Sequence, residues 1–240
     1  MTDNVEIEIS EIGWKGIYKI SGISAFIQVI ASIFIMVIAF TVGAEPNNAK
    51  ECFTLIQQNR LAGILRLDIG SIIIMTMYYI TFIGIYAGLR KEKGAYALLA
   101  TVLAFIGITL WLSSNSVFSM IYLGDKYIKA PTEEIKTQLI VAGEAIIASN
   151  MWHSTAAVVT GYLLEGSALF ISVLMLRSNS FGVVIAIIGI ITHGLDLLHI
   201  IIAPVLPSVS VILMIIGGTL YLPWFLLLGL RFLNLSKVNW

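Results

Sequence analysis

Two acidic residues lie deep inside long apolar stretches of the sequence, Glu165 and Asp196. An acid near the centre of a bilayer costs about 2.5 to 3.5 kcal/mol on insertion scales, so each needs a compensating partner. Asp196 has candidate partners close in sequence, because His193 and His199 flank it at three residues on either side. At about 100° per residue, these three side chains share one arc of about 120° around a helix. The segment therefore predicts a helix with one polar, titratable face.

More polar residues occur at the outer ends of other apolar stretches, once the chain is oriented as described below. Polar groups at membrane depth face a bundle interior or a wet cavity, so we predict a pocket that opens to the outside. The alternative is a hydrogen-bonded network that only joins helices. The candidate pocket residues are Asp68, Ser113, Asn115, Ser116, Glu165 and Asp196.

These residue types could hold zinc, which binds imidazole and carboxylate in tetrahedral sites, although their spacing does not require it. The candidate ligands are His153, His193, Asp196 and His199. Because His193 and His199 are about 9 Å apart along a helix axis, both are not expected on one ion. Asp196 with either of them, joined by His153, is the feasible set. The single cysteine, Cys52, excludes an intrachain disulfide and a multi-thiolate metal site.

The composition is that of a membrane protein. The chain has 240 residues, of which 58% are hydrophobic and only 12% are charged, whereas charged residues approach a quarter of soluble domains. The formal net charge is zero, which argues against nucleic acid as a partner and leaves the lipid bilayer as the main one. We therefore expect an integral, multi-pass protein of a cell membrane.

The apolar stretches predict an all-α polytopic bundle with six transmembrane helices. A span needs about 20 apolar residues to cross a hydrocarbon core about 30 Å thick. Charged residues bound each candidate. The predicted spans are Ile20–Val42, Ile69–Leu89, Ala95–Leu112, Thr155–Leu176, Phe181–Ala203 and Val209–Leu230.

The orientation follows from the short turn Arg90–Lys93, which contains three cations. Cations in short loops favour the cytoplasmic side, so both termini are predicted to be cytoplasmic. Residues 1–14 form an acidic segment that we expect to be mobile, and residues 15–240 form one transmembrane domain. Residues 44–66 and 124–152 are then a helical outer region.

One outer helix has a recognisable start. Pro131, Thr132, Glu133 and Glu134 place a proline and acids at the positive end of a helix dipole, which predicts a helix over residues 133–149. Its charged residues favour a peripheral position. A seventh crossing by residues 133–150 is the alternative.

Three motifs resemble a prokaryotic family of six-span membrane proteins classed as a domain of unknown function. They are Asn115–Met120, Ala142–Glu144, and Tyr221–Phe225 ahead of Gly229–Arg231. The resemblance covers the chain from about residue 60 onward. It implies a bacterial or archaeal cytoplasmic membrane and no particular substrate.

The intramembrane serines, aspartates and histidines are also similar to those of a superfamily of seven-span zinc hydrolases, which includes alkaline ceramidases and adiponectin receptors. That resemblance implies a zinc-bound water that attacks a lipid amide. The chain departs from the family pattern, because a late His-x-x-x-His pair is absent and no histidine lies near Ser71.

Three functions remain open at this point. The leading one is an outward-facing intramembrane pocket for a small molecule, a lipid headgroup or a metal. The second is a zinc-dependent intramembrane lipid hydrolase, with Asp196 or Glu165 as ligand or base. The third is a proton-coupled small-solute transporter in which Glu165 and Asp196 titrate.

Overall fold

A computed structural model describes residues 2–43, 46–67 and 69–238. The regular elements in these ranges are all α-helices. They are α1 (Thr2–Val42), α2 (Ala49–Gln58), α3 (Arg60–Arg66), α4 (Ile69–Ser114), α5 (Val117–Lys129), α6 (Glu133–Ala148), α7 (Thr155–Met175), α8 (Val183–Ile202) and α9 (Pro207–Leu235).

Five helical stretches are long and apolar enough to cross a membrane. They are Gly13–Val42, Ile69–Lys129, Thr155–Met175, Val183–Ile202 and Pro207–Leu235. Large apolar side chains stay exposed on them, including Ile30 at 68%, Phe40 at 85% and Val184 at 63%. Such surface is suited to lipid and not to water. The protein is therefore an integral membrane protein, and the predicted all-α polytopic bundle is confirmed.

The longest stretch contains two crossings. The backbone of α4 leaves helical geometry at Lys93, where φ is −136° and ψ is 28°. The hydroxyls of Tyr79 and Thr109 are only 2.6 Å apart, although about 45 Å would separate these residues along a straight helix. The rings of Tyr79 and Phe105 are also in contact. The two arms of α4 therefore fold back against each other at the predicted cationic turn, and the described helices supply six crossings.

The chain divides into two compact units. Unit 1 comprises Met1–Ile30, Thr76–Thr109 and Thr160–Trp240. Unit 2 comprises Ala31–Met75 and Leu110–Val159.

Unit 2 contains the short helices α2, α3, α5 and α6. Its core is built from buried residues of α2 and α5, among them Phe53, Ile56 and Met120. The α6 residue Glu144 accepts a hydrogen bond from the backbone N–H of Ala49, at 2.8 Å, and so ties α6 to the start of α2. These helices occupy the regions for which a helical outer part was expected. Their location outside the membrane stays a prediction.

Helix α6 begins where the sequence predicted. It starts at Glu133, and the Thr132 side chain caps it by accepting a hydrogen bond from the N–H of Ile135. Its 16 residues rise about 24 Å, which is less than the thickness of a hydrocarbon core. This length favours the peripheral position over a seventh crossing.

In unit 1, α1 and α4 are joined by neutral polar side chains. Ser21 and Ser24 donate hydrogen bonds to the carbonyls of Ile80 and Met77, at 2.9 and 2.8 Å. The Thr81 hydroxyl donates to the amide oxygen of Gln28 at 2.8 Å. Ser21, Ser24, Gln28 and Thr81 are all buried. We call these four residues the neutral contact.

Candidate functional site

Helices α7, α8 and α9 of unit 1 approach one another closely at Gly189. A Cβ atom on this glycine would lie 2.4 Å from the Oγ of Ser172 on α7 and 2.6 Å from the Nε1 of Trp224 on α9. Only glycine leaves room for both side chains. Helix α8 also packs along α9, to which residues 203–206 connect it. The three helices therefore pack closely just before His193 and Asp196, which lie about one and two turns further along α8.

The carboxyl groups of Glu165 and Asp196 are joined here through the Tyr221 hydroxyl, and His193 contacts Glu165. The Nδ1 of His193 lies 2.7 Å from the Oε2 of Glu165. The hydroxyl of Tyr221 lies 2.9 Å from the same Oε2 and 2.6 Å from the Oδ2 of Asp196. We call these four residues the proton cluster. They form an unbroken hydrogen-bonded chain from α8 through α7 to α9 and back to α8.

The Tyr221 hydroxyl has one hydrogen for two carboxyl oxygens. If both Glu165 and Asp196 are ionised, only one of them receives that hydrogen. The other then faces the Tyr221 oxygen without a proton between them. Both distances are those of hydrogen bonds, so the arrangement is satisfied when one carboxyl is protonated and donates to the tyrosine oxygen. The geometry therefore favours one extra proton shared by the two acids.

Two proton arrangements satisfy the chain equally well in number of bonds. In one, Asp196 is protonated and donates to the Tyr221 oxygen, while the Tyr221 hydrogen goes to Glu165. In the other, Glu165 is protonated and Tyr221 donates to Asp196. A concerted shift of two hydrogens converts the first into the second, and no heavy atom has to move.

The cluster becomes more buried from one end to the other. Asp196 and Tyr221 are half-buried, whereas Glu165 is buried and His193 is completely inaccessible. The imidazole is enclosed by aromatic rings, with Trp224 at 4.5 Å and Tyr221 at 5.3 Å between centroids. Its Nε2 is buried and makes no hydrogen bond within the described chain. Only the tautomer with its hydrogen on Nε2 leaves Nδ1, the nitrogen that faces Glu165, able to accept a proton from that acid.

His199 is not part of this chain of hydrogen bonds. Its Nδ1 lies 2.7 Å from the Oγ of Ser210, near the start of α9, and the same hydroxyl lies 3.1 Å from the His199 carbonyl oxygen. The predicted shared face therefore divides in two. His193 and Asp196 meet Glu165 and Tyr221, whereas His199 fastens the end of α8 to α9.

The other predicted pocket residues belong to unit 2, where the side chains of Ser113 and Asn115 have local partners. The Ser113 hydroxyl bonds to the carbonyl of Leu110, and the Asn115 side-chain oxygen accepts from the N–H of Val117. Ser116 precedes the first residue of α5 without capping it through its side chain. The Nδ2 of Asn115 is buried and makes no hydrogen bond to a described residue. Asp68 lies outside the described residues.

The predicted zinc ligands do not form a recognisable metal centre. His153 belongs to unit 2, where its Nδ1 lies 3.1 Å from the side-chain oxygen of Asn150 and 3.2 Å from the carbonyl of Ile147. Over residues 2–43, 46–67 and 69–238, no three or more His, Cys, Asp or Glu side chains come together as an ion would require. The structure thus lends no support to a zinc site.

Two residues of the site were not among the predicted ones. Tyr221 joins the two acids, and Trp224 packs its ring against His193. Both belong to the apolar segment of α9, where aromatic residues are common. The sequence feature that could have indicated Tyr221 is its hydroxyl, because a tyrosine hydroxyl buried in a span needs a hydrogen-bond partner.

Comparisons with protein-family models, curated proteins and solved structures find no match to this chain. The geometry of the proton cluster is therefore the basis for a functional assignment.

Proposed function

We propose that this protein is a proton-coupled transporter of a small polar solute, and that the proton cluster is where it binds and releases the coupling proton. The observation that carries the proposal is the single Tyr221 hydrogen between the oxygens of Glu165 and Asp196. Chains of Asp, Glu and His side chains inside a membrane are typical of proton relays in pumps and transporters.

The order of burial gives the proton a direction. A proton enters at Asp196, which is half-buried, and Tyr221 passes its own hydrogen to Glu165 while it accepts the one from Asp196. In the tautomer that carries its hydrogen on Nε2, His193 then accepts the proton of Glu165 at Nδ1 and becomes an imidazolium beside the Glu165 carboxylate. Each proton transfer breaks one O–H bond and forms one O–H or N–H bond, so no other reactant is needed.

The ionised form of Asp196 provides the coupling to a solute. A solute with a protonated amine, or another strong hydrogen-bond donor, binds an ionised carboxylate better than a neutral acid. Binding of the solute and binding of the proton at Asp196 therefore oppose each other, and by linkage each lowers the affinity for the other. An exchange of proton for solute follows from this competition.

The resemblance to the six-span prokaryotic family belongs to the same proposal and implies a cytoplasmic membrane of a bacterium or archaeon. No observation favours lipid hydrolysis as a second candidate, because the described residues offer no site for the zinc that it requires. The predicted outward-facing pocket is, in this proposal, the path by which the solute reaches Asp196.

The test uses the full chain reconstituted in vesicles that enclose a pH-sensitive dye. We expect amines, amino acids or other small polar solutes, applied singly to wild-type vesicles, to move protons in at least one case. Asp196→Asn should abolish that signal, and Glu165→Gln should reduce it at least tenfold. The matched control is Glu134→Gln, which changes an exposed acid of α6 and should transport like wild type. A panel in which no solute moves protons, or in which Asp196→Asn keeps the full signal, would overturn the proposal.

A further inference from the structure

The carboxyl group of Asp196 has one oxygen that the proton cluster does not use. Its Oδ2 is bonded to the Tyr221 hydroxyl at 2.6 Å, whereas Oδ1 makes no hydrogen bond to a described residue. The fully buried side-chain atoms that lack such a partner belong to residues other than Asp196, so protein does not enclose Oδ1 completely. The residue as a whole is half-buried. Oδ1 is therefore an atom of the cluster that a solute can reach.

Gly217 of α9 leaves this oxygen uncovered on the side of that helix. A Cβ atom on Gly217 would lie 3.2 Å from Oδ1 of Asp196 and 3.4 Å from the Cβ of Leu195. An alanine there would thus occupy the space beside the carboxylate oxygen. The next residue, Gly218, is different, because a Cβ atom on it meets nothing within 4 Å. Of these two adjacent glycines, only Gly217 borders the accessible oxygen of Asp196.

His199 supplies a second accessible acceptor on the same face of α8. The Ser210 hydroxyl has one hydrogen and lies 2.7 Å from the His199 Nδ1 and 3.1 Å from the His199 carbonyl oxygen. Both contacts are hydrogen bonds when the hydroxyl donates to the carbonyl and Nδ1–H donates to the hydroxyl. Nε2 is then an acceptor, and like Oδ1 it has no partner among the described residues and is not fully buried. Residues three apart on a helix are surface neighbours, so the two acceptors lie side by side.

We propose that Oδ1 of Asp196 and Nε2 of His199 bind the primary ammonium group of the transported solute. This inference rests on the proposed function and narrows its substrate from small polar solutes to primary amines. The two acceptors take two of the three N–H donors of a primary ammonium, and the carboxylate pairs with its positive charge. A quaternary ammonium has the same charge but no N–H, so it makes neither hydrogen bond. His199 is then a specificity-determining residue, and Gly217 keeps Oδ1 open to the solute.

The experiment measures binding of butylammonium to the purified full chain in neutral detergent at pH 8, where an alkylamine is still protonated. Butyltrimethylammonium at the same concentration is the reference, since it has equal charge and adds equal ionic strength. Thermal stability reports binding, because a ligand that binds only the folded state raises the melting temperature. We expect butylammonium to stabilise the wild type more than butyltrimethylammonium does. Asp196→Asn should remove the difference between the two compounds.

Two further variants locate the ammonium group. His199→Asn keeps an N–H near the position of Nδ1 for Ser210 and removes Nε2. It should therefore melt like wild type without ligand and bind butylammonium about tenfold more weakly, as expected for the loss of a hydrogen bond to a charged group. Gly217→Ala should weaken binding by a comparable factor because it covers Oδ1, whereas the matched control Gly218→Ala should bind like wild type.

The ammonium subsite is wrong if butylammonium stabilises the wild type no more than butyltrimethylammonium does. It is also wrong if His199→Asn binds like wild type, or if Gly217→Ala binds like Gly218→Ala. The transporter proposal is judged separately. If butylammonium does not bind but another solute moves protons in vesicles in a manner that depends on Asp196, the transporter stands without this subsite. If butylammonium binds as expected but no solute moves protons, the subsite stands without the transporter.

Discussion

Unit 1 contains two buried polar contacts, the neutral contact between α1 and α4 and the proton cluster of α7, α8 and α9. They differ in whether there are enough hydrogens for the acceptors. In the neutral contact, each of the hydroxyls of Ser21, Ser24 and Thr81 has a hydrogen and an acceptor for it. In the proton cluster, Tyr221 offers one hydrogen to two acids. Burial of polar groups is therefore no sign of function by itself. A shortage of hydrogens among titratable groups is the sign.

Both regions contain a close helix contact at a glycine. A larger residue at either glycine should lower stability more than the other changes discussed below. A Cβ on Gly84 would lie 2.4 Å from the Cβ and Oγ of Ser21, and one on Gly189 would lie 2.4 Å from the Oγ of Ser172. We expect Gly84→Ala and Gly189→Ala each to lower the free energy of unfolding by about 1 to 3 kcal/mol, as overpacking does. Denaturant titration in detergent measures this.

The control for this pair is Gly166→Ala on α7. A Cβ there meets nothing within 4 Å, and alanine favours the helix over glycine. Gly166→Ala should therefore be as stable as wild type or slightly more stable. Equal stability of Gly189→Ala and Gly166→Ala would mean that α7, α8 and α9 do not approach as closely as described.

When one hydroxyl is removed from each region, the loss of stability should depend on pH in the proton cluster only. Thr81→Val should cost about 0.6 kcal/mol, the average for a hydrogen bond between membrane helices, and the cost should be the same from about pH 5 to 8. Tyr221→Phe should cost about 1 to 2 kcal/mol, because it leaves two acids without their common partner, and this cost should change with pH. Unfolding curves at several pH values measure both. If the stability cost of Tyr221→Phe did not change with pH, the proton cluster would be a structural hydrogen-bonded contact like the neutral contact.

Cys52 of unit 2 shows the effect of burial on a titratable group outside the spans. Burial raises the pKa of its thiol to about 11, from a usual value of 9.0. Below pH 9 the thiol is protonated in both the folded and the unfolded chain, so it adds no pH dependence. Between about pH 9 and 11 only the unfolded chain loses the proton, so stability falls as pH rises through this window.

At pH 8 we therefore expect thiol reagents to leave Cys52 unlabelled in folded protein and to label it after unfolding. The orientation is tested by a different residue. Gln58 is exposed at the end of α2, so Cys52→Ala combined with Gln58→Cys supplies an accessible thiol. Labelling of intact cells by an impermeant reagent is expected from the predicted topology. Labelling only after lysis would reverse the orientation.

The sequence was a good guide to the elements, because hydrophobic length and charge act locally. Three cations in Arg90–Lys93 predicted the turn inside α4, and Thr132 with Glu133 predicted the start of α6. Each of these signals depends on residues that are adjacent in the chain and on the bilayer, and not on the packing of distant helices.

The composition of the site was less predictable, because it depends on how helices rotate against one another. Helical spacing placed His193 and His199 on one helix face with Asp196 between them, but Ser210 of the next helix binds His199 and leaves His193 with Glu165. Tyr221 has no distinctive sequence context. Only the contact of α9 with α7 and α8 shows that its hydroxyl lies between two acids.

The most direct measurement of the shared proton is infrared absorption of the carboxylic acid C=O group in purified protein at neutral pH. Exposed acids are ionised there and do not contribute to this band. We expect wild type to show a protonated carboxyl whose band shifts in D₂O. The double variant Glu165→Gln with Asp196→Asn should lack the band, while Glu134→Gln keeps it. A wild type without a protonated carboxyl, or a band that survives in the double variant, would contradict the shared proton.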